Sequence, residues 1–146
     1  MEPRLSMITL GVDDLERTKA FYQNVIGWVP EPTPPEIAFF DLGGVVFSLY
    51  PHHAMADDMG VHTSKNEMPA YQGFALAYNA RSKEEVDAIF ARLKEHGASI
   101  RKQPEDVFWG GYSGYFADPD GHMWEVAYNP HWRVREDGRI LMKAND

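Results

Sequence analysis

The sequence predicts an α+β fold, in which two tandem βαβββ modules form a cupped, mostly antiparallel sheet with helices on its outer face. Segments with the two-residue period of strands surround two segments with the period of helices, and the order β-α-β-β-β occurs twice. The two copies also end alike. FFDLGGVVFSLYP and YFADPDGHMWEVAYNP share an aromatic pair, a glycine turn, an apolar strand and a final tyrosine near a proline. Two copies of this length indicate paired modules and not a solenoid.

We predict that these modules form one domain covering residues 1–146. Its parts are module one at about 5–51, a connector at 52–70, module two at about 71–130 and a C-terminal tail at 131–146. The connector shows no clear period, which is typical of a crossing between modules. In the tail, Asp137 and Gly138 predict a hairpin turn.

In module one, the alternating segment LSMITLGV predicts a half-buried strand. A helical pattern follows, for which Asp13 is the predicted N-cap and Gly27 the end. After a stretch interrupted by four prolines, EIAFFDL and VVFSLYP flank a glycine pair, which predicts a hairpin.

Module two repeats this order with four predicted strands, GFALAYN, ASIRKQP, GYSGYFA and MWEVAYNP. Its helix is the clearest in the chain, because Ser82 and Glu85 form a capping box and Gly97 ends the apolar stripe. The last two strands are joined by a turn at 118–121.

The composition excludes several classes of protein. A formal net charge of −8 argues against nucleic acid or an anionic membrane as a partner. The absence of cysteine excludes a disulfide scaffold, thiolate metal ligands and a cysteine nucleophile. No apolar run approaches the roughly 20 residues of a membrane span, and the N-terminus has no signal-peptide pattern. We therefore expect a soluble, cytoplasmic protein.

Two motifs resemble those of a known superfamily. ITLGVDDLERTKAFYQNVIGW and GYFADPDGHMWEVAYNP resemble the opening strand and helix, and the closing hairpin and strand, of the vicinal oxygen chelate superfamily. That superfamily contains glyoxalase I, extradiol dioxygenases, and bleomycin and fosfomycin resistance proteins. The resemblance spans about residues 5–130, and it implies the fold more strongly than the chemistry.

The resemblance also implies where a metal would bind, because metal-dependent members supply His or Glu from four strands to one divalent ion. These positions fall on Met7, Ser48, Gly73 and Glu125. Only Glu125 matches, since thioether sulfur is soft, a protonated hydroxyl is a poor ligand and glycine has no side chain. We therefore expect no metal cofactor; the alternative is a divalent metal such as Zn, Ni, Mn or Fe.

Glu125 stands alone as a carboxylate within an apolar strand. Strand alternation places Met123, Glu125 and Ala127 on one face, and the opposite face, with Val126, is expected to pack against the helices. Three roles remain open for Glu125: an ordinary exposed or arginine-paired side chain, a hydrogen-bond acceptor or general base for a ligand, and a metal ligand.

The segment VFWGGYSGY places Trp109 and Tyr112 around a glycine pair, with Tyr115 on the next strand. It is either a lid that stacks on a planar or apolar ligand, or a hairpin whose aromatic side chains cover the sheet.

Histidines could supply replacement metal ligands. His52 and His53 follow the hairpin of module one, and His62 lies in the connector. None of the six histidines has a recognisable metal-ligand spacing, which argues against a relocated metal site. Such a site stays an alternative, because residues distant in sequence can meet in the fold.

We predict a metal-free protein that binds a small organic ligand in the sheet cup, as the drug-binding resistance proteins do, and that forms a homodimer. The predicted ligand-binding residues are Met7, Ser48, Gly73, Trp109, Tyr112, Tyr115 and Glu125, of which Glu125 is also the candidate catalytic residue. The alternatives are a metal-dependent lyase, isomerase or dioxygenase of glyoxalase type that uses Glu125 as ligand or base, and a purely structural or regulatory subunit.

Overall fold

The computed structural model describes residues 1, 3, 5–60 and 72–141 of a chain that divides into two units, Met1–Pro69 and Ala70–Asp146. Each unit has its own mixed β-sheet, of three strands in the first and four in the second, and the α+β prediction is confirmed. Within the described ranges, no helix has the length and hydrophobicity needed to cross a membrane.

The first unit contains three strands and two helices. Its elements are β1 (Met7–Val12), α1 (Leu15–Phe21) with a π-helical turn (Tyr22–Ile26), β2 (Ala38–Asp41), β3 (Val46–Pro51) and α2 (His52–Met59). The central strand β3 pairs in parallel with β1 and antiparallel with β2. The predicted hairpin around the two glycines is therefore confirmed.

One face of this first sheet packs against an aromatic cluster. Tyr22 is fully buried, and its ring centroid lies 4.8 Å from that of Phe47 and 5.6 Å from that of Trp28. Leu10 and Leu49 are buried on the same sheet face. The opposite face contains the side chains of the other strand parity, which include Met7 and Ser48.

Three features of the first unit differ from the sequence prediction. The N-cap of α1 is Asp14 and not Asp13, because the Asp14 carboxylate accepts the Arg17 N–H at 3.0 Å. The stretch between the π-helical turn and β2 forms no strand, since its prolines lack the N–H that a ladder requires. The predicted connector begins with α2, so its first part is helical.

The second unit has the complete β-α-β-β-β order. Its elements are β4 (Leu76–Ala80), α3 (Lys83–Glu95), β5 (Ser99–Asp106), β6 (Tyr112–Ala117), β7 (Met123–Tyr128), β8 (Arg133–Val134) and β9 (Ile140–Leu141). The large sheet has the strand order β4-β7-β6-β5, with β4 and β7 parallel and the other pairs antiparallel. The tail forms the predicted hairpin from β8 and β9.

Helix α3 covers one face of the large sheet. The Ser82 hydroxyl accepts the Glu85 N–H at 3.2 Å, as the capping box predicts, and Phe90 is buried against the sheet. A Cβ atom at Gly114 on β6 would lie 2.6 Å from the Phe90 ring and 2.8 Å from the Lys102 carbonyl oxygen. Val126 is the β7 partner of Gly114, so it shares the α3 face. Glu125, which has the opposite parity, lies on the other face, as predicted.

Candidate functional site

A row of four side chains crosses the large sheet on the face opposite α3. Ala77 on β4 pairs with Glu125 on β7, Glu125 pairs with Tyr115 on β6, and Tyr115 pairs with Lys102 on β5. Since direct cross-strand partners stand about 5 Å apart on one face, this row places a small residue, a carboxylate, a phenol and an ammonium group in sequence. We call these four residues the Glu125 row.

Tyr115 and Glu125 form the chemical centre of the row. Tyr115 and Glu125 are direct partners in the β6–β7 ladder, and both side chains are partly buried. Burial of the phenol raises the pKa of Tyr115 above its ordinary value of 10.0, and the charge and hydrogen bond of Glu125 raise it further, whereas Lys102 lowers it. Tyr115 therefore stays protonated at neutral pH and orients Glu125.

Lys102 ends the row with a positive charge. Its ammonium nitrogen lies 2.8 Å from a carboxylate oxygen of Glu105, three residues along β5. Both groups are largely exposed, so the pair is screened by water and adds little stability. Its effect on the site is to fix the position of Lys102 beside Tyr115.

The turn between β6 and β7 sets the register of the Tyr115–Glu125 pair. Its buried Asp118 carboxylate accepts the N–H groups of Asp120 at 3.0 Å and His122 at 2.9 Å, and it also contacts the His122 imidazole at 2.9 Å. The sequence analysis recognised the turn but not this buried pair. Because the Asp118 carboxylate holds the backbone of the turn, it fixes the pairing register of the strands that carry Tyr115 and Glu125.

Three predicted site residues of the second unit lie outside the row. Gly73 comes before β4 and is exposed at φ 77°, so Ala77 and not Gly73 occupies the strand position beside Glu125. Tyr112 points to the α3 face, where its hydroxyl donates to Asp87 at 2.8 Å. The parity of β6 separates Tyr112 from Tyr115, so the two phenols lie on opposite faces of the sheet.

Trp109 belongs to a tight turn and not to an open lid. The Val107 N–H donates to the Gly111 carbonyl at 2.9 Å, and the Gly110 N–H donates to the Val107 carbonyl at 2.9 Å. A Cβ atom at Gly111 would overlap the Trp109 ring, so the indole lies on its own turn. The alternative of a hairpin whose aromatic residues pack on the structure describes this segment better.

The two predicted site residues of the first unit have different environments. Met7 is 44% exposed at the start of β1. Ser48 is fully buried on β3, and its hydroxyl donates to the Thr9 hydroxyl at 3.2 Å. They lie on the same sheet face, because Ser48 pairs with Thr9, which is two residues after Met7 on β1.

His52, which the sequence analysis considered as a replacement metal ligand, also approaches this face. A Cβ atom at Gly11 would overlap the His52 imidazole, so the glycine leaves the space that the ring occupies. The His52 Nε2 atom lies 4.0 Å from a carboxylate oxygen of Asp13. The adjacent His53 is exposed, and His62 lies outside the described residues.

The donor atoms at the family's metal positions do not fit a hard divalent ion. The first unit offers a thioether at Met7 and a buried hydroxyl at Ser48 that is already hydrogen-bonded to Thr9. In the second unit, the methyl group of Ala77 stands beside the single carboxylate of Glu125. Within the described ranges, no three His, Asp or Glu side chains cluster as a metal site. Apart from the single carboxylate of Glu125, these positions lack the imidazole and carboxylate groups that such ions prefer.

The comparisons with known proteins agree on one family. The family model described as Glyoxalase/Bleomycin resistance protein/Dioxygenase superfamily matches residues 4–126. Metallothiol transferase FosB of Shouchella clausii (strain KSM-K16) is 28% identical over 123 residues, which cover 84% of this chain and 77% of that protein.

Solved structures agree with this match. A glyoxalase-related enzyme from Fulvimarina pelagi superposes with a TM-score of 0.86 at 35% identity, covering 97% of this chain and 99% of that chain. A glyoxalase/bleomycin resistance protein/dioxygenase from Nocardioides gives a TM-score of 0.76 at 26% identity, covering 88% and 84%.

Proposed function

This chain belongs to the Glyoxalase/Bleomycin resistance protein/Dioxygenase superfamily, and from that premise we propose that it binds a small organic ligand at the Glu125 row without a metal ion. The observation that carries the proposal is the cross-strand pairing of Tyr115 with Glu125 on the sheet face opposite α3. The carboxylate of Glu125 can accept N–H or O–H groups of a ligand.

The neighbours of Glu125 define the shape of this site. Ala77 leaves space on one side of the carboxylate, and Tyr115 limits it on the other. A ligand that lies over Ala77 directs a donor group at Glu125 and places apolar surface against the sheet. Glu125 acts here as the recognition group, and it would be the general base if the bound molecule carries an acidic C–H or O–H.

The metal-free state is part of the proposal and is supported by the donor chemistry of the site. The alternative is a metal-dependent lyase, isomerase or dioxygenase of glyoxalase type that uses Glu125 as ligand or base. It is favoured by one observation, the name of the relative from Shouchella clausii, which describes a metallothiol transferase. Metal-dependent activity would require ligands other than Met7 and Ser48.

Thermal-shift screening of a metabolite panel tests ligand binding. We expect at least one compound to raise the melting temperature, because a ligand at 100 times its Kd stabilises the folded state by about 2.7 kcal/mol. Glu125→Gln and Tyr115→Phe should each weaken that compound by about tenfold, the worth of a hydrogen bond to a charged group.

Tyr112→Phe is the matched control, since it removes a hydroxyl from the same strand on the opposite face. It should leave the affinity unchanged. A panel without a single binder, or equal losses from the three substitutions, would refute binding at the Glu125 row.

We also propose that the protein is a cytoplasmic homodimer. The support is the face of the four-stranded sheet opposite α3, where Ala77 is exposed and offers surface to a second copy. Light scattering coupled to size-exclusion chromatography should give twice the chain mass of 16.6 kDa.

A further inference from the structure

A pocket of about 380 Å³ lies in the second unit between the end of β4 and the β8–β9 hairpin. It is distinct from the centre of the Glu125 row, with which it shares Ala77. Its volume is within the range of about 300 to 1,000 Å³ that is typical of small-molecule sites. The residues that matter for its chemistry are Ala77, Asn79, Arg81, Val134, Glu136 and Ile140.

Arg81 is held in place by its surroundings. The Glu85 carboxylate accepts the Arg81 N–H at 2.7 Å and the Tyr78 hydroxyl at 2.8 Å, which fixes the backbone where β4 meets α3. The Arg81 guanidinium donates to the Arg135 carbonyl oxygen at 3.0 Å, so it bridges β4 and the hairpin. A guanidinium has five N–H donors, so Arg81 can donate to a ligand as well as to the Arg135 carbonyl oxygen.

The hairpin supplies acidic groups, of which one is engaged locally. The Asp137 carboxylate accepts the Arg139 N–H at 3.1 Å and lies 3.8 Å from the Arg135 guanidinium. Among the described residues, Glu136 forms no such ion pair, although it lines the same pocket as Arg81. The pocket is lined by one cation, Arg81, and by two carboxylates, of which Asp137 is paired locally and Glu136 forms no ion pair among the described residues; the apolar side chains of Val134 and Ile140 lie beside them.

We propose that this pocket binds a small zwitterion with an apolar substituent, of which a free α-amino acid is the simplest example. The ligand carboxylate accepts N–H groups of Arg81, its ammonium group donates to Glu136, and its side chain contacts Val134 and Ile140. The opposite charges of the two residues disfavour a dianion or a simple amine, since either would leave one pocket charge uncompensated. The proposal is independent of ligand binding at the Glu125 row, because different charged residues make the contacts.

Calorimetric titration with each of the twenty common L-amino acids tests the proposal on the full chain. We expect at least one with an apolar side chain to bind. Its amide, which lacks the carboxylate, and its deaminated acid, which lacks the ammonium group, should each bind at least about fivefold more weakly, as for partly exposed ion pairs.

Two substitutions locate the binding. Glu136→Gln and Arg81→Gln should each weaken the amino acid by about fivefold. Glu136→Gln is decisive, since Arg81 also holds the hairpin. Glu95→Gln, at the exposed end of α3, is the control and should bind as the wild type does. The proposal is overturned if no amino acid binds at about 10 mM, if the amide and the acid bind as tightly as the amino acid, or if Glu136→Gln leaves the affinity unchanged.

Discussion

At the scale of single residues, the site consists of two groups whose properties depend on each other. Glu125 stands beside Tyr115 on the neighbouring strand, and the pKa of Tyr115 is raised by its burial and by Glu125. Strand alternation correctly predicted the face on which Glu125 lies. The partner was also within reach of the sequence, because counting outward from the 118–122 turn places residue 115 opposite residue 125. The pairing of Ala77 with Glu125 could not be predicted in this way, since it joins parallel strands that are far apart in the chain.

Titration of Tyr115 tests this pair directly. Glu125→Gln should lower the pKa of Tyr115, because the phenolate is no longer opposed by a neighbouring negative charge, while burial keeps the pKa above 10.0. Nuclear magnetic resonance of tyrosine labelled with ¹³C at Cζ gives the pKa of each phenol. Since the folded-state pKa is raised, the stability from Tyr115 is fully present below pH 10.0 and is lost as the pH rises.

Tyr112 is the internal control for that titration, because the pKa of its phenol is raised by the hydrogen bond to Asp87. Asp87→Asn should lower the pKa of Tyr112, and Glu125→Gln should leave it unchanged. An unchanged Tyr115 pKa in the Glu125→Gln protein would mean that the two side chains do not interact in solution.

At the scale of elements, sequence signals were reliable where local chemistry decides the structure. Ser82 caps α3 as its capping box predicts, and glycine at φ 92° ends the π-helical turn at Gly27. Sequence signals were less reliable where two neighbouring residues could each cap a helix, as Asp13 and Asp14 could for α1. Gly73 was misplaced because GFALAYN shows no break, although Gly73 has a left-handed φ and β4 begins only at Leu76.

The α1 cap gives a matched pair of substitutions. Asp14→Ala should destabilise the protein by about 1 kcal/mol, because it leaves the Arg17 N–H without its acceptor. Asp13→Ala should change the free energy of unfolding by less than about 0.5 kcal/mol, as is usual for exposed positions. Urea denaturation followed by circular dichroism measures both, and a larger loss for Asp13→Ala would contradict the assignment of the cap.

At the scale of the whole molecule, the repeated pattern and the two motifs correctly predicted the α+β fold and the superfamily. The first unit departs from the repeat, because the proline-rich stretch before β2 forms no strand. Among the predicted site residues, Glu125 and Tyr115 are cross-strand partners, whereas backbone geometry separates Gly73, Trp109 and Tyr112 from them, although Trp109 and Tyr112 are close to Tyr115 in sequence. The pocket beside β4 depends on the packing of the tail, which no local pattern specifies.

The central claim is that Glu125 serves an organic ligand and not a metal ion. Elemental analysis of protein purified without a chelator and without an affinity-tag metal is the most direct measurement. We expect well under one divalent ion per chain, because the neighbours of the Glu125 carboxylate in its own sheet are the methyl group of Ala77 and the phenol of Tyr115. Stoichiometric Ni, Zn, Mn or Fe, lost on substitution of Glu125 by Gln, would contradict it.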